Sequence, residues 1–238
     1  MAYDYLGLVN DINRRLNEVE LTSVNFAAAV GEYSMVKDAV NASIRFINQH
    51  EFEWPFNHVT EEETITPGIV RYAFPADTKV INFNSFRIKR SDTLGNETRK
   101  LSLLSYEEYL DSYADVEYNT STSLRQLPTY VFKAPSSEFG IVNPPDKAYE
   151  LVYEYYRLPV DLINATDVPS VPEQFRYVIV NGAMHFAYLF RGESQESAMM
   201  QARFEQEIKQ MRSLYINRYE YIRSTVLNTT VTTSARVS

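Results

Sequence analysis

The sequence predicts an α+β protein: an antiparallel helical bundle built from N- and C-terminal helices, with an inserted antiparallel β-subdomain and an extended C-terminal arm. Three observations carry this. Apolar residues recur at spacings of three and four near both ends of the chain, the period of a helix with one buried face. From Trp54 to Tyr156 the chain turns to β-branched and aromatic residues punctuated by turn signals. From Ser224 onward there is no acidic residue and no helical stripe, but many β-branched side chains. The corresponding division is 1–53 for the N-terminal helices, 54–160 for the β-subdomain, 161–223 for the C-terminal helices and 224–238 for the arm.

Tyr3 to Asn17 reads as a first helix, with Tyr5, Leu8, Val9, Ile12 and Leu16 on one face and Asp4, Asn10, Asp11, Asn13 and Arg14 largely off it. Thr22 and Ser23 offer caps for a second helix running to about Asn48, with Tyr33, Val36, Val40, Ile44 and Ile47 as its stripe. Gly31 is a weak point near its start. In the middle region, Thr60–Thr66 and Ile69–Phe74 flank the turn dipeptide Pro67-Gly68 and read as a hairpin. Val80–Arg90 ends at a Leu94-Gly95-Asn96 turn, with Arg99–Leu104 as its return strand. Tyr106–Tyr113 suits a short helix, and the polar stretch Asp115–Gln126 a long mobile loop. Tyr130–Lys133, Phe139–Val142 and Tyr149–Tyr156 are further strands, with Asn143-Pro144-Pro145-Asp146 turning between the last two. In the final strand Glu150 and Glu154 alternate with Leu151, Tyr153 and Tyr155.

The stretch Val168–Tyr221 reads as two helices broken at Gly192. Pro169 and Pro172 suit the entrance of the first, because proline fixes φ and its missing N–H would be unpaired there. Phe175, Val178, Ile179, Ala183, Phe186 and Phe190 form its stripe. Ser194 is placed to cap the second helix, whose stripe is Met200, Phe204, Ile208, Met211 and Tyr215 while Arg203, Glu205, Glu207, Lys209 and Arg212 face water. This pair needs a partner for its apolar faces, and Tyr3–Asn48 supplies one.

The formal charge of −8 over 238 residues argues against a protein that grips phosphate backbones. It suits a surface past which DNA slides. No apolar run approaches the ~20 residues needed to span a bilayer, and the N-terminus lacks a signal-peptide layout. The absence of cysteine excludes disulfides, thiolate metal sites and cysteine nucleophiles. Tyrosine, at 18 residues against one tryptophan, fits either amphipathic packing at the core edge or extensive interfaces.

No catalytic constellation stands out, and no catalytic, cofactor or metal residue is assigned. His50 and His58 flank EFEWPFN, but an H-E-x-x-H zinc motif would need histidine where Trp54 stands. His185 lies beside an apolar stripe and reads as a core-edge residue. Glu61, Glu62 and Glu63 open a strand, where neighbours point to opposite sides, so a solvated face is the plainer reading. Asn-x-Ser/Thr triplets at Asn41, Asn96, Asn119, Asn164 and Asn228 carry no information without a secretory signal. Two functions from other classes are the alternatives. One is a small cell-envelope hydrolase using Glu61 to Glu63 or Glu107 and Glu108. The other is a glycan- or peptide-binding β module using exposed tyrosines. For the arm, Val226, Leu227 and Val231 are its larger apolar side chains and the candidate contacts to a neighbouring subunit, which an added strand would supply.

Four landmarks in order carry a resemblance: VNASIRFINQHEFEWPF from Val40, GIVRYAFPAD from Gly68, NPPDKAYELVYEYYRLP from Asn143 and VPEQFRYVIVNGAMHFAYLF from Val171. Together they resemble the head-to-tail adaptors of short-tailed bacteriophages, the tail tubular protein A family, over about Asp11 to Tyr215. The chain departs from compact members in its longer middle, roughly Ser105 to Leu127, and in its Thr-rich tail. The resemblance implies a structural virion protein without a cofactor, made in the host cytoplasm and assembled as a ring of twelve beneath the portal. The implied partners are further copies of itself, the portal protein, the tail nozzle and the tail fibres. DNA would pass through without specific binding, and no membrane is involved.

Overall fold

Asp4 opens the first helix by accepting the Gly7 N–H on its carboxylate at 2.7 Å. The structure, a computed structural model, describes residues 2–51, 53–89, 98–118 and 121–215. In chain order these form α1 (Tyr5–Arg15), α2 (Glu32–His50), β1 (His58–Ile65), β2 (Arg71–Ala73), β3 (Thr78–Lys89), β4 (Thr98–Lys100), β5 (Ser102–Leu104), α3 (Tyr106–Ser112), α4 (Ala114–Tyr118), β6 (Tyr130–Ala134), β7 (Glu138–Val142), β8 (Tyr149–Arg157), α5 (Arg176–Arg191) and α6 (Ser194–Tyr215). The described residues fall into two compact units, one within Met1–Trp54 and Val160–Ser238, the other within Pro55–Pro159.

The first unit is helical, and α5 packs against α1, α2 and α6. The expected faces are buried: Tyr5, Leu8, Val9 and Ile12 on α1, Val36, Val40, Ile44 and Ile47 on α2, and Phe204, Ile208 and Met211 on α6. Three expectations need correction. The second helix starts at Glu32, not near Thr22 or Ser23. Thr22 instead sits in a tight turn that returns the Phe26 N–H to its carbonyl and buries Phe26 edge-on against Tyr5, 5.1 Å between ring centroids. Gly31 at φ +64° then redirects the chain into α2, a backbone region glycine enters without steric cost. Ser194 is the first residue of α6 itself, where the Ser197 N–H bonds to the Glu193 carbonyl. On α5, Phe190 is exposed while Val180, Asn181, Gly182, Met184 and Ala187 are buried, because neighbours cover more than one stripe of this helix.

The closeness of that packing shows at Gly182. A β-carbon there would come within 2.3 Å of the Ser43 hydroxyl and 2.4 Å of the Phe204 ring, so α2 and α6 approach α5 at a point that only glycine allows. Trp54 is fully buried and donates its indole N–H to the Ile47 carbonyl at 2.9 Å, which closes the end of α2.

The second unit holds two four-stranded sheets, ordered β1-β8-β3-β4 and β2-β7-β6-β5. They share one core, in which Ile65, Phe86, Ile88, Leu151, Tyr153 and Tyr155 of the first sheet meet Val131, Phe139 and Ile141 of the second. The alternation in β8 appears as expected, with Leu151, Tyr153 and Tyr155 buried. The opposite face of the second sheet is covered too. Phe132 turns away from the shared core and stacks on Tyr109 of α3, 3.8 Å between centroids, above Gly140, where a β-carbon would meet the Phe132 ring.

The hairpin expected at Pro67-Gly68 does not form. β1 pairs with β8, and β2 pairs with β7 in the other sheet. The turn carries the chain from one sheet to the other, held by the Gly68 N–H on the Pro145 carbonyl at 2.9 Å. The return strand divides in the same way at Leu101: β4 pairs with β3, while β5 runs parallel to β6. The β unit is therefore mixed rather than purely antiparallel. The expected turn at Leu94-Gly95-Asn96 lies outside the described residues.

Candidate assembly surfaces

The stretch expected to be a mobile loop instead contributes Glu117 to a half-buried polar cluster. Within it, α4 presents Glu117 to Arg71 of β2, with bonds of 2.7 and 3.0 Å in bidentate geometry. The Tyr109 hydroxyl donates to the same carboxylate, and the Arg71 guanidinium lies 5.9 Å from the Tyr109 ring. Burial alone would push the Glu117 carboxyl up, but the bonds from Arg71 and Tyr109 outweigh it and hold its pKa below the usual value. Desolvation raises Tyr109. The cluster ties α3 and α4 to the second sheet.

A second polar cluster lies in the helical unit. Glu207, expected to face water, is buried and accepts both 2.8 Å bonds from the Asn181 amide, while Arg203 reaches it at 3.0 Å. Arg15 of α1 donates to the other end of Asn181 at 2.9 Å. Asn10 and Asn13, expected off the apolar face, are also buried. Asn10 holds the backbone of Leu21 by both its N–H and its carbonyl, 2.8 Å each.

Asn41 does the same for Leu162. Its amide donates to the Leu162 carbonyl and to the Tyr5 hydroxyl, and its oxygen accepts the Leu162 N–H. Around this anchor, residues 160–168 are fixed by short bonds. The Asp167 carboxylate accepts the N–H groups of Ile163 and Asn164, which hold its pKa below the normal range. Asp161 pairs with Arg45. The carbonyls of Asp167 and Ala165 accept N–H groups of Tyr5 and Leu6, which the first turn of α1 would otherwise leave unpaired. The outcome is a rigid segment with Leu162 inside and Val160, Ile163 and Val168 exposed at 74, 74 and 63%. Exposed apolar side chains on backbone already fixed lose little entropy when covered, the property of a contact surface.

A second surface of this kind surrounds Arg191. Its guanidinium bonds Glu18 at 3.3 Å and Glu32, and beside these three residues Val19, Val30, Leu189 and Phe190 are exposed. The sequence signal for the Leu162 segment and for the Glu207 cluster was weak. Asparagine inside a helix is unfavourable unless it bonds elsewhere, and that was the available hint at Asn41 and Asn181.

Residues weighed for chemistry are dispersed. His185 accepts or donates at 3.0 Å to Ser197 and so links α5 to α6 as a core-edge residue. His58 lies 3.6 Å from Glu154. Glu62 points outward and bonds Lys89 at 2.7 Å, whereas Glu63 is half-buried and its pKa is raised by burial and by Glu61. Glu107 and Glu108 are exposed in the first turn of α3. Among the described residues no three His, Asp or Glu side chains group to hold a metal ion, and no helix is long and apolar enough to cross a membrane. Val226, Leu227 and Val231 lie outside the described residues.

The pattern is one of scaffold and contact surfaces, and comparison with known families agrees. The family model described as SU10 adaptor protein matches residues 3–230, nearly the whole chain. The chain belongs to that family. This SU10 adaptor is thus a structural component of phage virions, of the head-to-tail adaptor type that its landmark motifs resemble. No curated protein matches it.

Proposed function

We propose that this SU10 adaptor forms a ring that joins the portal to the tail nozzle and continues the DNA channel, in twelve copies as the resemblance implies, at the virion neck. The family match over 3–230 carries this reading. The net charge of −8 supports it, since an acidic wall suppresses adhesion of DNA phosphates within the ~10 Å that salt leaves unscreened. On this reading α1, α2, α5 and α6 make an antiparallel bundle, residues 54–160 a β-subdomain, and residues 224–238 an arm. Val226, Leu227 and Val231 of the arm contact the portal or a neighbouring copy, and the nozzle and fibres meet the distal side.

Electron microscopy of assembled particles with this chain labelled tests the reading. A ring of copies between portal and nozzle is expected. A chain absent from the neck, or present there as a single copy, refutes it. Removing 224–238 leaves the fold intact and weakens docking; unchanged assembly and infectivity would show that the arm makes no contact that matters.

A further inference from the structure

β1 is a long and regular sheet edge. All eight of its residues pair with β8, from His58↔Tyr156 to Ile65↔Tyr149, without a register shift. Among the described residues no strand pairs with its other side. In an antiparallel ladder alternate residues turn both N–H and C=O outward, so about half of the β1 backbone groups point away from β8. The other edges are blunted. β2, β4 and β5 are three residues each, and the open part of β3 is broken by the register shift between Asn82 and Arg87.

β1 carries charge instead of a bulge. Glu61 and Glu63 sit half-buried on one face and Glu62 on the other. Charges on an edge strand repel unwanted partners, and here the repulsion applies to any acidic strand. One segment of this chain escapes it. Residues 221–238 contain no acid, carry Arg223 and Arg236, and are mostly Thr, Val and Ser, the composition of a strand rather than a helix.

We propose that residues 224–238 of one copy add as a strand to the outer edge of β1 in a neighbouring copy. This rests on the ring reading above and names the surface that receives the arm. Edge and arm are different surfaces, so each copy donates one and receives one. Such a heterologous contact repeats around a closed ring. Residues 216–238 reach up to about 75 Å when extended. Main-chain bonds supply the affinity, and opposite charge selects the partner.

The chain contains no cysteine, so single cysteines report the contact without background. Two differently tagged full-length forms are supplied together during particle assembly, one with Thr60→Cys on β1, the other with Val226→Cys, Thr229→Cys or Val231→Cys on the arm. Mild oxidation of purified particles is expected to give a disulfide-linked pair carrying both tags. Reversing the arm charge with Arg223→Glu and Arg236→Glu is expected to lower its yield several-fold. Normal incorporation without any such cross-link overturns the proposal and leaves the adaptor reading standing. A cross-link that forms only within a chain carrying both cysteines overturns it as well, because the arm then pairs with its own edge. Unchanged yield after charge reversal overturns the role of charge. A chain missing from the neck overturns the ring reading and this inference together.

Discussion

Replacing Asn41 by alanine tests whether residues 160–168 are held as described. The side chain makes three hydrogen bonds, to the Leu162 carbonyl at 3.0 Å, from the Leu162 N–H at 3.0 Å and to the Tyr5 hydroxyl at 3.2 Å. All three partners are buried. The Tyr5 hydroxyl keeps its bond to the Lys37 carbonyl, but the Leu162 N–H and C=O lose the partner that Asn41 gave them. A buried group left without a partner costs about 1–3 kcal/mol. Two such groups, with partial relief from water entering the space left by the amide, give a loss of about 3 kcal/mol. Urea denaturation of the wild type and the Asn41→Ala variant reads this as a lower midpoint at unchanged slope. Hydrogen exchange localises it: the Leu162 amide should exchange roughly 10²-fold faster, since each 1.4 kcal/mol is about tenfold. A loss below about 1 kcal/mol with unchanged protection at Leu162 would refute the reasoning. It would mean that the segment is held by Asp167, Arg45 and the α1 N-terminus without Asn41.

Two further outcomes follow from the packing and from the acid cluster. Gly182→Ala gains about 1 kcal/mol of helix propensity but must displace Ser43 and Phe204, an overpacking cost of about 1–3 kcal/mol. A net loss of about 1 kcal/mol in thermal or urea unfolding is expected, larger for Gly182→Val, and a stabilised alanine variant would contradict the close approach. The Glu117 pKa is lowered in the folded state, so its stabilisation is present above the ordinary glutamate range and fades as pH falls through the folded value. Glu117→Gln should remove that part of the acid sensitivity when melting is followed on lowering pH, and an unchanged acid profile would refute it.

How much was legible in the sequence depends on the range of the interaction. The four long helices, most strands and the alternation of β8 follow from hydrophobic period, which neighbours in the chain set by themselves. The family was legible as well, through ordered landmarks from Val40 to Phe190. Strand partnership was not. Alternation in Thr60–Thr66 and Ile69–Phe74 indicates extended chain, yet nothing local says that one pairs with Tyr149–Arg157 and the other with Glu138–Val142.

Of the candidate surfaces, residues 224–238 stand out in the sequence by composition alone, whereas the segment around Leu162 and the open edge of β1 do not. By itself the sequence determined the main apolar stripe of α1, α2 and α6 and that a β region interrupts the helices, because side-chain period and burial are coupled locally. The tertiary structure alone decided which sheet each strand joins, and that Asn41, Asn181 and Glu207 lie inside. Their partners stand 121 residues away for Asn41 and 26 for the Asn181–Glu207 pair, and a buried polar group is tolerated only where such a distant partner arrives.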